Sequence, residues 1–102
     1  MNENLVRQRL KKTIFKNLTS IANVLSVTFV GSFAECKDLS GISDIDTVVI
    51  CDHLTEDVFN SCMAAADNIN LSELGLKDYI LIVDGEQAVL RQRRVQDMFL
   101  QI

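Results

Sequence analysis

LSVTFVGSFAECKDLSGISDIDTVVIC, residues 25–51, holds two short β-branched apolar runs joined by a connection too polar to belong to either. LSVTFV (25–30) stops at Gly31 and reads as a strand. DIDTVVIC (44–51) reads as a second strand, buried for most of its length. Between them Ser32 stands where it would cap a short helix over about 33–38, and Leu39-Ser40-Gly41-Ile42-Ser43 is rich in turn formers. Gly31-Ser32 ends the first strand and, eleven residues on, Asp44-Ile45-Asp46 opens the second. For the two to meet, the strands must run antiparallel, which the short connection permits.

Outward from this stretch the periodicity changes. Leu5, Leu10, Ile14, Leu18 and Ile21 recur at helical spacing with lysines and arginines between them, which predicts an amphipathic helix over about 3–22. Thr55 followed by Glu56 and Asp57 is a helix start, and Val58, Phe59, Cys62, Ala65, Ala66 and Ile69 mark its apolar face to about 70. YILIV (79–83) reads as a third strand, closed by the turn signal Asp84-Gly85. A last helix over about 86–100 would bury Val89, Val95, Met98 and Phe99 and leave Arg91, Arg93 and Arg94 wet. The expected fold is one small α/β domain over residues 1–102, its core at about 25–84. Three strands form a mixed sheet packed with helices, in the order αβαβαβα. A strand, a helical crossover and a strand make a parallel pair, so 44–51 and 79–83 should start at the same edge.

The chain has 102 residues, enough for one core, and no proline and only four glycines, which argues against linkers. Ten Lys and Arg against fourteen Asp and Glu give a net charge of −4. Residues 21–85 hold eleven acids against Lys37 and Lys77, a balance that repels a phosphate backbone and opposes bulk nucleic-acid binding. Cys36, Cys51 and Cys62 are odd in number and lack CxxC spacing, so neither a disulfide framework nor a zinc site is suggested and a reducing cytoplasm is the expected location. The start resembles no signal peptide, and no apolar run reaches membrane-spanning length.

Asp44 and Asp46, two apart on a strand, send their side chains to one face of the sheet. Two carboxylates there repel each other unless a cation sits between them. A pair of magnesium ions about 3.5–4 Å apart, held by oxygen ligands, clamps the attacking and leaving oxygens of a phosphoryl group. Gly31 suits the complementary task, because glycine lets backbone amides approach a phosphate, and Ser32 adds a hydroxyl donor.

Gly31-Ser32, Asp44-Ile45-Asp46 and the apolar Val48-Val49-Ile50 together resemble the signature of the DNA polymerase beta-like nucleotidyltransferase superfamily, in particular its minimal members. The likeness covers about residues 25–84. It implies that Asp44 and Asp46 bind two magnesium ions and that Gly31 and Ser32 hold the triphosphate of a nucleoside triphosphate. It also implies attack by an acceptor hydroxyl on the α-phosphate and a third carboxylate on a later strand. Asp78 and Asp84 are the candidates, about 20 Å apart along a strand, so only one can reach the metals. The parallel crossover favours Asp78 as third metal ligand or general base, and Asp84-Gly85 has its own reading as a turn. The same likeness implies transfer of a nucleoside monophosphate, AMP from ATP foremost, and a HEPN-type helical protein as partner.

Other readings stand beside this one. A nucleotidyltransferase-like module could bind nucleotide or a partner protein without catalysis, or the chain could be part of a longer enzyme, its apolar Phe99, Leu100 and Ile102 awaiting a continuation. A homodimer through the terminal helices is a further expectation. His53 and Tyr79 read as an ordinary loop residue and a strand aromatic, and Cys36 lacks the histidine arrangement of a nucleophile.

Overall fold

Asn2 starts the first helix, α1 (Glu3–Thr19): its side-chain oxygen accepts the Leu5 amide at 2.9 Å, satisfying a donor that the first turn leaves free. The computed structural model describes residues 2–35, 37–88 and 92–102. Leu10, Ile14 and Leu18 of α1 are buried as their spacing predicts, but Leu5 is exposed and its neighbour Val6 is buried in its place. After it come β1 (Val24–Val30), a one-turn helix α2 (Gly31–Ala34), a 3-10 turn at Leu39–Gly41 and β2 (Ile45–Cys51). Helix α3 (Glu56–Asp67) starts at Thr55, whose hydroxyl accepts the Val58 amide at 3.2 Å, and Glu56 and Asp57 sit in its first turn, where the helix dipole favours acids.

β1 and β2 pair antiparallel with Val30 opposite Asp46, the arrangement that brings Gly31 to Asp46 and that the short connection permits. The residues of β2 then alternate: Ile45, Thr47, Val49 and Cys51 are buried, and Asp46, Val48 and Ile50 are half-buried on the other face. The buried set shares one core with the apolar stripes of α1 and α3, so both helices lie on that side.

The C-terminal third differs from expectation. The parallel partner of β2 is β5 (Val95–Gln101), in register from Ile45 opposite Val95 to Cys51 opposite Gln101, so the sheet has the order β1-β2-β5. No helix occupies 86–100 among the described residues; Val89 and Arg91, which the helix would have included, lie outside them. The segment 79–83 contributes only β3 (Ile82–Val83), which forms a separate hairpin with β4 (Glu86–Gln87). Ile80, Ile82 and Val83 are exposed there, so the apolar run is not a core strand. Asp84 and Gly85 both take positive φ, +52° and +81°, and form the two-residue turn their sequence signalled.

A short apolar run with few polar interruptions fits helix and strand templates alike, and VQDMFLQI fits both. Its place beside β2 decides the matter, because a two-stranded β1-β2 sheet would leave the second edge of the buried β2 strand unpaired.

Arg93, expected on a wet helix face, is instead half-buried just before β5. Its guanidinium donates to the carbonyls of Leu39 (2.8 Å), Ile42 (3.2 Å), Leu76 (2.9 Å) and Tyr79. It thereby ties the connection before β2, the 3-10 turn at Leu76–Asp78 and the start of β5 into one unit. Burial lowers its pKa, and the nearby Asp44 charge works in the opposite sense. Arg7 plays a similar part at the other end of the connection: it donates to the Lys37 carbonyl and to Glu3 (3.1 Å), and lies 5.7 Å from the Phe33 ring centre. Glu3 in turn accepts the Leu39 amide at 2.9 Å.

Candidate functional site

Gly31 takes φ +71°, a conformation that costs glycine little and other residues more. A Cβ built there would lie 3.0 Å from Asp46 Oδ2, so the backbone turns against the carboxylate. The register Val30–Asp46 produces this meeting: the first residue past β1 falls beside the second residue of β2. Ser32 follows inside α2, half-buried; the cap position of that helix belongs to Val30, so Ser32 does not cap it.

Asp44 precedes β2, and its Oδ1 accepts the Arg94 amide at 3.2 Å, which joins the start of β2 to the start of β5. Burial raises the Asp46 pKa and the Asp44 charge adds to the rise. The pair thus carries the mutual repulsion that a bound cation would relieve.

Asp78 ends the 3-10 turn at Leu76–Asp78 and is exposed, and Asp84 lies in the hairpin turn. The placement of Asp78 beside the start of β2 assumed a parallel strand at 79–83; that role falls to β5. The position opposite Asp46 on β5 is Gln96, whose side chain shares the face of Asp46. Among the described residues no three His, Cys, Asp or Glu side chains come together as a metal cluster. Two carboxylates and a carboxamide remain, a set of hard oxygen donors suited to magnesium.

Gln96 and Asp97 escape sequence reasoning, and Arg94 reads as a wet helix residue, because Val95-Gln96-Asp97-Met98-Phe99 carries no alternation of apolar and polar residues that would mark a strand. Asp46, Arg94, Gln96, Asp97 and Met98 line a cleft of about 560 Å³ together with Met63, Asp67 and Val95. Arg94 places a cation there. Asp97 sits one residue beyond Gln96, so its carboxylate turns toward the helix side, where Oδ1 accepts the Thr47 hydroxyl at 2.7 Å. Burial raises its pKa, the Thr47 bond opposes the rise and the Asp67 charge adds to it.

The remaining candidates lie elsewhere. His53 is exposed beyond the far end of β2 from Asp46. Cys36 lies outside the described residues. Cys51 and Cys62 are buried, and burial, with Cys51 and Asp97 nearby, pushes the Cys62 thiol up to about 11, so it serves as a small apolar group of the core.

Gly31→Ala is expected to disturb this corner more than the fold as a whole. The positive φ and the 3.0 Å approach together push the Asp46 carboxylate aside, for about 1–2 kcal/mol of stability. Urea unfolding of the variant checks the magnitude, and a loss above about 4 kcal/mol would show that Gly31 supports far more than the corner.

No protein-family model matches the chain, and neither a curated protein nor a solved structure matches it. No helix among the described residues is long and apolar enough to cross a membrane.

Proposed function

We propose that the chain is a magnesium-dependent nucleotidyltransferase that moves a nucleoside monophosphate, AMP from ATP foremost, onto a hydroxyl acceptor. The observation that carries this reading is the contact between Gly31 and Asp46: a glycine at positive φ, followed by a serine, set against one of two neighbouring carboxylates. Asp44 and Asp46 would hold magnesium, with the Gln96 carboxamide beside them. Bound there, the metal neutralises the triphosphate and orients the groups that exchange. The Gly31 amide and Ser32 hydroxyl would bind phosphate oxygens, and Arg94 offers a cation to the same cleft. The acceptor oxygen forms a bond to the α-phosphorus as the bond to pyrophosphate breaks, and its proton passes to a carboxylate of the site.

A second reading has its own support. Gln96 stands where an acid could serve as base or third ligand, which favours a module that binds nucleotide and metal without transferring anything. Titration with ATP, with and without magnesium, tests both. Binding is expected to need the metal and to weaken at least about tenfold in Asp44→Asn and Asp46→Asn variants that keep the wild-type circular dichroism spectrum. Metal-dependent binding without release of pyrophosphate, across a panel of hydroxyl acceptors, would favour the second reading. A folded wild type that binds no nucleotide would sink both.

A further inference from the structure

Among the described residues β5 is bonded to β2 on one side and ends the three-stranded sheet on the other. Ile45 donates its amide to the Arg94 carbonyl (3.1 Å) and Ile102 donates to the Cys51 carbonyl (3.0 Å). In a parallel ladder this fixes the even-numbered residues of the segment as those whose backbone groups face β2. Val95, Asp97, Phe99 and Gln101 therefore turn their N–H and C=O groups outward, a row that another strand would satisfy.

Among the described residues several of the devices that keep such an edge single are missing. Residues 95–102 contain no lysine, arginine or proline, and the β2–β5 register runs without a bulge. The single charged side chain, Asp97, is the one protecting device present: it turns inward, where Thr47 engages it on the helix side and leaves the outward edge without a charge. Exposed apolar groups flank the edge on both faces: Met98 (49%) and Leu100 (57%) on one, and Phe59 (41%) and Met63 (36%) of α3 on the other. Phe59 packs against Phe99 of β5 with the rings tilted at 53° and their centres 4.9 Å apart, so the α3 group adjoins the strand.

We infer that β5 pairs antiparallel with β5 of a second copy about a two-fold axis at Met98, joining two three-stranded sheets into one of six strands. Self-pairing is favoured because the strand is complementary to itself in this register. Met98 is the midpoint of Val95–Gln101, so every residue of the strand finds an opposite number. Odd residues meet odd residues, Asp97 with Phe99 and Val95 with Gln101, and exchange about eight hydrogen bonds. The two Met98 side chains meet at the position where opposing side chains come closest, and Gln96 faces Leu100. An axis at Asp97 would set two carboxylates against each other, and one at Phe99 would leave Val95 and Gln96 without strand partners. The two-fold also keeps both α3 helices on one side of the joined sheet, where Phe59 and Met63 flank the seam. Because Gln96 adjoins Asp46, Leu100 of the second copy would form part of the cleft wall.

The test is a dilution series of the wild-type chain by sedimentation equilibrium, with amide hydrogen exchange followed by NMR at each concentration. A dimer is expected whose odd amides, those of Asp97 and Phe99 above all, are protected when concentrated and lose protection on dilution, while those of Gln96, Met98 and Leu100 stay protected throughout. Met98→Lys, at an exposed position, sets two ammonium groups face to face and is expected to raise the dimer dissociation constant at least about tenfold. A chain monomeric at about 1 mM overturns the inference. So does a dimer whose odd amides exchange freely or that Met98→Lys leaves unchanged. Odd amides protected at every dilution overturn it as well, because another strand then covers the edge. The wild-type series decides by itself if the variant fails to fold.

Discussion

Arg93→Met is expected to lower the unfolding free energy by about 3 kcal/mol or more, the largest loss of any single polar side chain among the described residues. Four carbonyls, of Leu39, Ile42, Leu76 and Tyr79, converge on its guanidinium. Hydrogen bonds to a charged donor contribute about 1.5–3 kcal/mol each in favourable cases, and removing the donor leaves partly buried acceptors unsatisfied. Relaxation and water entry reduce the sum, which sets the expectation below a simple addition. Methionine keeps most of the apolar stem, so the loss reports the hydrogen bonds more than the packing. Arg93→Lys should recover only part of it, because an ammonium has three donors on one atom and cannot span the same fork. Urea denaturation of both variants provides the comparison. A loss below about 1 kcal/mol in Arg93→Met would show that the segments hold together without it. The same variant should loosen the candidate site, since the next residue, Arg94, binds Asp44 through its amide.

Gly75→Ala is the second large effect, expected at about 2–4 kcal/mol. Gly75 takes φ +121°, a conformation that side chains resist, at the start of the turn carrying Leu76. A Cβ there would lie 3.0 Å and 3.1 Å from the two methyl carbons of Val6, which is 1% exposed on α1. The β-branched side chain has one preferred rotamer in a helix and cannot swing away cheaply. The two causes separate in a double-mutant cycle with Val6→Ala. The contact part should vanish in the double variant, and the backbone part should remain. Additive losses within about 0.5 kcal/mol would mean that Val6 and the new methyl group never met.

These two positions show where the chain spends its longest-range interactions. Arg93 and Gly75 hold loop to loop and loop to helix, while the strands and α1 carry the apolar core. Neither residue stands out in the sequence. Arg93 belongs to a run of arginines that a solvated helix face would explain equally well, and Gly75 is one of four glycines.

The candidate site divides along the same line. Gly31, Asp44 and Asp46 were legible because each belongs to a short local signal beside a strand end, and the short connection between the strands permitted the antiparallel return that brings them together. Asp78 was placed by a crossover drawn to the wrong strand. Gln96 and Arg94 reach the site from fifty positions beyond Asp46 and Asp44, a distance over which no pattern of period 2 or 3.6 carries information.

By itself the sequence determined what short-range physics settles: the apolar stripe of α1, the Thr55 start of α3, the two strands around Gly31 and Asp46, and the Asp84-Gly85 turn. Each depends on side-chain period, capping oxygens or the φ preference of a few adjacent residues. Tertiary structure alone decided that Val95–Gln101 is a strand, that it pairs parallel with β2, and that Gln96 stands beside Asp46. The reason is that backbone groups of β2 must be paired along both edges, and which distant segment pairs them depends on competition among all segments, not on the local preference of any one.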